Sequence, residues 1–150
     1  MTDDSRTRPV VVAGVDGSAE SIAALGWASR YAAATTGTLR AVLAWHYPSA
    51  AGLPPAGVAP EPVRAETERQ LQATLDEAVA KIDQDKLAVP VQARLSYGHP
   101  AQVLIDESEH ADLLVVGNRG HGAFTGMLTG SVSVHCVNHA ACSVVVVRNQ

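Results

Sequence analysis

The chain has 150 residues, of which 47% are hydrophobic, and a formal net charge of −4 at pH 7. This length suits one domain with a sizeable core, and the apolar runs are too short to span a bilayer, so we expect no membrane contact. The negative charge argues against general binding to nucleic acid. Residues 1–8 lack the apolar segment of a secretory signal and are expected to be a disordered lead to one domain at 9–150. The two cysteines do not form a disulfide framework and suit a cytoplasmic protein.

Runs of apolar residues alternate along the chain with turn-forming residues. The valine-rich run at 10–15 predicts a buried strand, and Ser18 is a suitable N-cap for a helix that ends near Gly37. The later predicted elements are a strand at 38–46, a flexible loop at 48–60, a helix at 61–86, a strand at 90–96, a helix that begins at Pro100, a strand at 112–117, a helix at 131–139 and a strand at 143–148. This alternation predicts one α/β domain with an open, parallel, five-stranded sheet and helices on both faces.

A glycine-rich segment, VVGNRGHGAFTGMLTGS at 115–131, joins the fourth strand to the last helix. Ligands of open parallel sheets bind beyond the carboxyl ends of the strands, where the strand order reverses. Gly117 and Gly120 let the backbone approach a ligand closely, and Gly130 frees the approach to the helix. No Asp or Glu follows Asp112, so this last part of the chain is suited to an anion.

The start of the last helix predicts a phosphate site. The first N–H groups of a helix lack partners within it and lie at its positive end, so they bind anions. The hydroxyl groups of Ser131 and Ser133 add two donors in the first turn. The turn after the first strand, at 15–18, is expected at the same edge of the sheet.

Two common nucleotide motifs are absent. The chain contains no Gly-Lys pair, which excludes the P-loop pattern. Its glycines at 117, 120 and 122 follow G-x-x-G-x-G instead of G-x-G-x-x-G, and no acidic residue follows to hold a ribose. A Rossmann dehydrogenase is therefore not expected.

A third pattern does match. Gly117-x2-Gly120-x9-Gly130-Ser131 resembles the ATP-binding signature of the universal stress protein family, and the resemblance extends from Val10 to Arg148. It includes VVAGVDGS at 11–18, YGHP at 97–100, ADLLVVG at 111–117 and SVVVVR at 143–148. The resemblance implies a strand order of 3-2-1-4-5, a nucleotide-dependent regulatory or stress-response function, ATP as the ligand, and an as yet unknown downstream protein partner.

The resemblance also implies roles for individual residues. Asp16 would lie near the ribose and a phosphate-bound Mg²⁺, and the end of the second strand would meet the adenine. Trp45 is larger than the aliphatic residue expected there. The predicted nucleotide-binding residues are Gly14, Val15, Asp16, Ala44, Trp45, Val116, Gly117, Arg119, Gly120, Gly130, Ser131, Val132 and Ser133.

Other interpretations stay open for several of these residues. Asp16 could only bond its own turn, and Arg119 could be a solvated loop arginine. His135 and His139 have a zinc-compatible spacing but no evident third ligand, so we interpret them as surface histidines. No catalytic residue is predicted, although slow ATP hydrolysis or self-phosphorylation, or a structural dimer with an incidental nucleotide, are alternatives. The implied strand order leaves 143–148 at a sheet edge, which predicts a homodimer through that strand.

Overall fold

A computed structural model describes residues 8–46, 61–83, 89–119 and 130–149 of the protein. Within these ranges strands and helices alternate as predicted. In chain order they are β1 (Val10–Gly14), α1 (Ala19–Ala34), β2 (Thr38–Trp45), α2 (Glu61–Asp83), β3 (Val91–Tyr97), α3 (Pro100–Ser108), β4 (Leu113–Gly117), α4 (Ser131–His139) and β5 (Ser143–Val147). The lead at 1–7, the predicted loop at 48–60 and the predicted end of the second helix at 84–86 lie outside the described residues.

The five strands form one parallel sheet in the order β3-β2-β1-β4-β5, which confirms the predicted fold class and strand order. The strand β1 lies at the centre, with Val11 beside Leu39 of β2 and beside Leu113 of β4. The chain therefore reverses its direction of travel across the sheet between β1 and β4. The carboxyl ends of these two strands form the place where parallel sheets bind ligands.

Each face of the sheet has its own hydrophobic core. Alternate side chains of a strand point to opposite faces, so β2 sends Leu43 and Trp45 to one side and Val42 to the other. The first face is covered by α1 and α2, which bury Leu25 and Leu75 completely. The second face is covered by α3 and α4, in a smaller cluster. Both faces of the central strands are covered, which explains their continuous apolar sequences.

The helix α1 begins as predicted and ends slightly earlier than predicted. Ser18 is the N-cap, and its Oγ accepts a hydrogen bond from the Ser21 N–H at 3.2 Å. At the other end the left-handed residue is Thr36, with φ of 53°, and not Gly37. The N–H groups of Thr36 and Gly37 donate to the carbonyls of Ala33 and Ala32, which is a Schellman motif. A glycine is needed at 37 because a Cβ there would lie 2.6 Å from the Pro9 carbonyl oxygen.

An ion-pair cluster ties α3 to the sheet. Glu107 of α3 accepts hydrogen bonds from Arg40 of β2 at 2.8 Å and from Arg94 of β3 at 2.6 Å. Burial alone would raise the pKa of the Glu107 carboxyl, but the two arginines outweigh it and hold that pKa below its usual value. The carboxylate therefore stays charged and joins three elements.

In the part of the chain that the structure describes, none of the helices combines the length and the apolar character needed to cross a membrane.

Candidate functional site

A cavity of about 320 Å³ opens at the carboxyl ends of β1, β2 and β4. Its volume is in the range of small-molecule sites. Every predicted nucleotide-binding residue that the structure describes lines it: Gly14, Val15, Asp16, Ala44, Trp45, Val116, Gly117, Arg119, Gly130, Ser131, Val132 and Ser133. The remaining predicted residue, Gly120, lies outside the described residues. Sequence reasoning missed six further lining residues among those described: Ser21, Val42, Leu43, Leu71, Pro100 and Leu104.

The turn after β1 forms one wall of the cavity. One carboxylate oxygen of Asp16, Oδ1, accepts hydrogen bonds from the Ser18 N–H at 2.9 Å and from the Ser18 hydroxyl. Gly17 permits this turn because its φ is 86°, a conformation that side chains disfavour. Asp16 therefore bonds its own turn, as the alternative interpretation expects. Its exposed side chain also borders the cavity.

The N-terminus of α4 forms the opposite wall. Gly130 is its N-cap and supplies no side-chain hydrogen bond, and the first turn contains no acidic residue. The positive end of this helix therefore carries no neutralising side chain of its own. Gly130 has φ −70° and ψ 160°, which any residue can adopt. The prediction that this position needs the backbone freedom of glycine is therefore wrong.

The two serines in the first turn of α4 differ. Ser133 is buried, and its hydroxyl donates to the Gly130 carbonyl oxygen at 2.8 Å. Its single hydroxyl proton is thereby committed, which leaves the Ser133 backbone N–H as its available donor. Ser131 is exposed on the cavity wall, so its hydroxyl is the one available to a ligand.

Asn118 and Arg119 connect β4 to this helix end. The Asn118 carbonyl oxygen accepts a hydrogen bond from the Gly130 N–H at 2.5 Å, and the Asn118 N–H donates to Val147 at 2.9 Å. These bonds fix the start of α4 against the sheet. Arg119 lines the cavity, and its Nε is buried without a hydrogen-bond partner among the residues that the structure describes. A buried donor of this kind is suited to an anionic ligand.

Trp45 lines the cavity at the end of β2 and belongs to an aromatic cluster. Ala44 and Trp45, the last residues of β2, point to opposite faces of the sheet, and Trp45 is only 7% exposed. The Trp45 and Tyr97 rings form a T-shaped pair with a centroid distance of 4.9 Å. The Arg64 guanidinium of α2 lies 5.9 Å from the Trp45 centroid and 4.9 Å from the Tyr97 centroid. No single stretch of sequence contains this cluster, because its members come from β2, β3 and α2.

None of the histidines and cysteines that the structure describes lines this cavity. His135 donates through Nδ1 to the Ser131 carbonyl, and its ring centroid is 6.1 Å from that of His139. Over residues 8–46, 61–83, 89–119 and 130–149 there is no group of three His, Cys, Asp or Glu that could hold a metal ion. Burial raises the pKa of the Cys136 thiol to about 11, and it also raises the pKa of Cys142. Both thiols therefore stay protonated and unreactive near neutral pH.

Comparison with protein families gives one match over almost the whole chain. A model described as the universal stress protein family matches residues 7–148. Among curated relatives, a universal stress protein of Mycolicibacterium smegmatis is 36% identical over 142 residues, covering 95% of this chain and 46% of that protein. One of Mycobacterium tuberculosis is 37% identical over 147 residues, covering 98% and 47%. The chain thus spans about half the length of these relatives.

Solved structures have the same fold. The universal stress protein UspA from Lactobacillus plantarum has a TM-score of 0.76 at 24% identity, covering 95% of this chain and 99% of that one. A universal stress protein in complex with cAMP has a TM-score of 0.70 at 28% identity, covering 95% and 98%. The second structure combines this fold with a bound adenine nucleotide.

Proposed function

This chain belongs to the universal stress protein family, and we propose that it is an ATP-binding regulatory domain of the stress response. One observation carries the proposal: the turn after β1 and the uncapped N-terminus of α4 border one cavity of nucleotide size. The similar structure in complex with cAMP supports an adenine nucleotide as the kind of ligand. Because the curated relatives are about twice as long, the proposal concerns this domain.

The phosphates would lie at the α4 end of the cavity. The N–H groups of the first turn, the Ser131 hydroxyl and the Arg119 side chain offer donors there. Among the described lining residues, Asp16 and Arg119 are the formally charged ones, with opposite signs. One arginine cannot neutralise a triphosphate, so a divalent cation is expected to accompany ATP.

The residues present fit a magnesium ion held mainly by the phosphates. Mg²⁺ prefers oxygen ligands and is commonly held by one or two carboxylates together with phosphate oxygens. Asp16 is the carboxylate of the described cavity wall, and we propose that it holds the ion directly or through water. The ion would supply positive charge to the phosphates. ATP affinity that is unchanged by a chelator and by Asp16→Asn would contradict this part of the proposal.

Regulation by binding fits the cavity better than catalysis does. Of the described lining side chains, only Asp16 could act as a base, and its Oδ1 already accepts two hydrogen bonds from Ser18. We therefore expect any ATP hydrolysis to be far slower than the median enzyme turnover of about 10 s⁻¹. Release of inorganic phosphate by the purified protein measures this directly, and rapid steady-state turnover would make the protein an enzyme.

We also propose that the domain forms a homodimer through β5. This strand lies at the edge of the sheet, and α4 beside it exposes Val134 and Val137 at 41% and 56%. An unpaired strand edge next to apolar side chains invites another strand, and a second copy can satisfy it through a two-fold axis. The finding that supports the proposal is the edge position of β5 itself.

A charge placed at the start of α4 tests the nucleotide site. An acidic residue in the first turn of a helix normally stabilises it, so Ser131→Asp is expected to preserve the fold. The same carboxylate would repel phosphates, and ATP affinity is expected to fall by about tenfold or more. Ser131→Asn, which is neutral and of the same shape, is the matched control.

Two measurements decide the outcome. Mass spectrometry of whatever leaves the unaltered protein on denaturation identifies a co-purified nucleotide, and titration calorimetry gives the affinities for ATP, AMP and cAMP. Equal ATP affinity in the Ser131→Asp and Ser131→Asn variants would contradict the proposed position of the phosphates at the start of α4. Absence of binding by the unaltered protein would reject the proposed function.

A further inference from the structure

A cation and two aromatic rings form a cluster behind the base end of the cavity. Arg64 lies over Tyr97 and Trp45, at 4.9 and 5.9 Å from their ring centroids. Both distances are within the range of cation–π attraction. Tyr97 itself meets Trp45 nearly at right angles, with an interplanar angle of 87°. Edge-to-face contact is a favourable aromatic geometry, so the three side chains support one another.

The cluster touches the cavity through one member. Trp45 lines the cavity, whereas Arg64 and Tyr97 are outside the set of described lining residues. Trp45 is 7% exposed, and the Arg64 side chain is 35% exposed. Arg64 also forms an ion pair with Glu68 one helical turn later, at 3.2 Å. The guanidinium is thus paired with Glu68 while its central carbon lies within cation–π range of both rings.

We infer that Arg64 is a positioning residue that sets base selectivity through Trp45. The inference rests on the proposed nucleotide function. Tryptophan has two rotatable side-chain bonds, and at the end of a strand its ring needs contacts on several sides to keep one orientation. Arg64 and Tyr97 supply these contacts from α2 and β3, so Trp45 presents a fixed wall to the base. A rigidly held Trp45 ring disfavours a base whose additional group would require the ring to move. A mobile ring would accommodate that group.

Arg64 also connects the cavity to α2. This helix contributes Leu71 to the cavity lining, and Arg64 lies two turns before it. Movement of the Trp45 ring against a base would therefore act on the first turns of α2 through the guanidinium. The contact between Arg64 and Trp45 therefore governs both the base selectivity and the position of α2.

The test compares two arginines of α2. Arg64→Met keeps an unbranched apolar side chain but removes the planar cation, and Arg64→Lys keeps a cation without the plane. Arg69→Met is the matched control, because Arg69 is on the same helix with a side chain that is 73% exposed and paired to Glu66. Calorimetry gives the dissociation constants of ATP and GTP for each variant. Near-ultraviolet circular dichroism at the long-wavelength edge, where tryptophan absorbs and tyrosine does not, is recorded in a Trp27→Phe background. Because the chain has two tryptophans, this signal reports the order of Trp45.

The unaltered chain and Arg69→Met are expected to prefer ATP over GTP. In Arg64→Met this preference is expected to fall by about threefold to tenfold, with a weaker Trp45 signal, and Arg64→Lys is expected to lie between. An unchanged Trp45 signal in Arg64→Met would overturn the positioning role, even if the chain binds no nucleotide. Equal loss of ATP and GTP affinity, or no preference in the unaltered chain, would overturn the role in selectivity. Absence of all nucleotide binding with a weakened Trp45 signal would reject the proposed function and the selectivity, and would leave the positioning role confirmed.

Discussion

Gly117, the last residue of β4, lies directly against the first turn of α1 at Glu20. A Cβ on Gly117 would lie 2.9 Å from the Glu20 carbonyl carbon, carbonyl oxygen and Cβ. The glycine is therefore explained by close packing between a strand and a helix, in addition to its place on the cavity wall. This contact joins the end of β4 to the start of α1, the helix that follows the turn at one wall of the cavity.

Replacing this glycine is expected to affect both stability and binding. In Gly117→Ala the new methyl group must displace the backbone of α1, and overpacking of this kind costs about 1–3 kcal/mol. ATP affinity is expected to weaken with it. Urea unfolding and calorimetry measure the two effects. Gly26→Ala is the control, because a Cβ there meets only the end of the flexible Arg30 side chain, at 3.4 Å, and helix propensity favours alanine. Equal stability of the two variants would contradict the packing argument.

The Glu107 cluster predicts a pH dependence of stability. Its pKa is lowered in the folded state, so its contribution is complete above the unfolded value and is lost as the pH falls through the folded value. Glu107→Gln is expected to lower the free energy of unfolding at pH 7 by about 1–2 kcal/mol, since water at the 39% exposed Arg94 screens the pair. The difference from the unaltered chain is expected to shrink below about pH 4.

The exposed pair of Glu66 and Arg69 provides the comparison. Glu66→Gln removes a carboxylate that is 51% exposed, and it is expected to change the free energy of unfolding by no more than about 0.5 kcal/mol at any pH. Urea unfolding at several pH values measures both variants. A Glu107→Gln deficit that persists undiminished into acid would show that the charge of Glu107 is not its cause.

Thr36, which follows α1 in a left-handed conformation, is a position where a substitution is expected to stabilise the protein. A β-branched residue is strained at the φ of 53° that Thr36 adopts. Thr36→Gly is expected to raise the free energy of unfolding by about 0.5–1 kcal/mol, after the greater freedom of glycine in the unfolded chain is subtracted. Ala33→Gly, inside the last turn of α1, is expected to lower it by about 1 kcal/mol. Thermal unfolding compares the two variants with the unaltered chain. A Thr36→Gly variant that is no more stable than the unaltered chain would contradict the proposed backbone strain at Thr36.

Two proline substitutions are expected to distinguish the outer edge of β5 from the side that pairs with β4. The Asn118 N–H donates to the Val147 carbonyl, so Val147 and Val145 direct their backbone groups to β4, and Val146 directs its groups outward. Val146→Pro should therefore leave the inner ladder intact and remove a donor for a second strand. We expect light scattering to show a dimer for the unaltered chain and a monomer, with a fold close to normal, for this variant.

The inner position gives the matched comparison. Val145→Pro removes a hydrogen bond between β4 and β5, so it is expected to lower stability directly instead of only releasing a partner. A monomeric unaltered chain at micromolar concentration would reject the homodimer. A dimer that survives Val146→Pro would place the interface away from β5.

Local patterns allowed much of this fold to be predicted. The bounds of α4 match the structure because Gly130, Ser131 and His139 mark its ends, and the parallel sheet followed from the alternation of elements. The strand order came from the family resemblance. The contact of Gly117 with Glu20 was not predictable, because its partners are almost a hundred residues apart and no local signal relates them. The same applies to Arg64, whose rings belong to two other elements.

The pairing of β1 with β4 also determines when the cavity can exist. Val15 and Asp16 precede the facing wall at 130–133 in the chain, so during synthesis they emerge well before it. The strands β1, β2 and β3 are neighbours in the sheet and can associate first, but no partly synthesised chain that ends before α4 has two walls. A ligand of this cavity would therefore bind only after both walls have been made, and by mass action it would hold α4 in place.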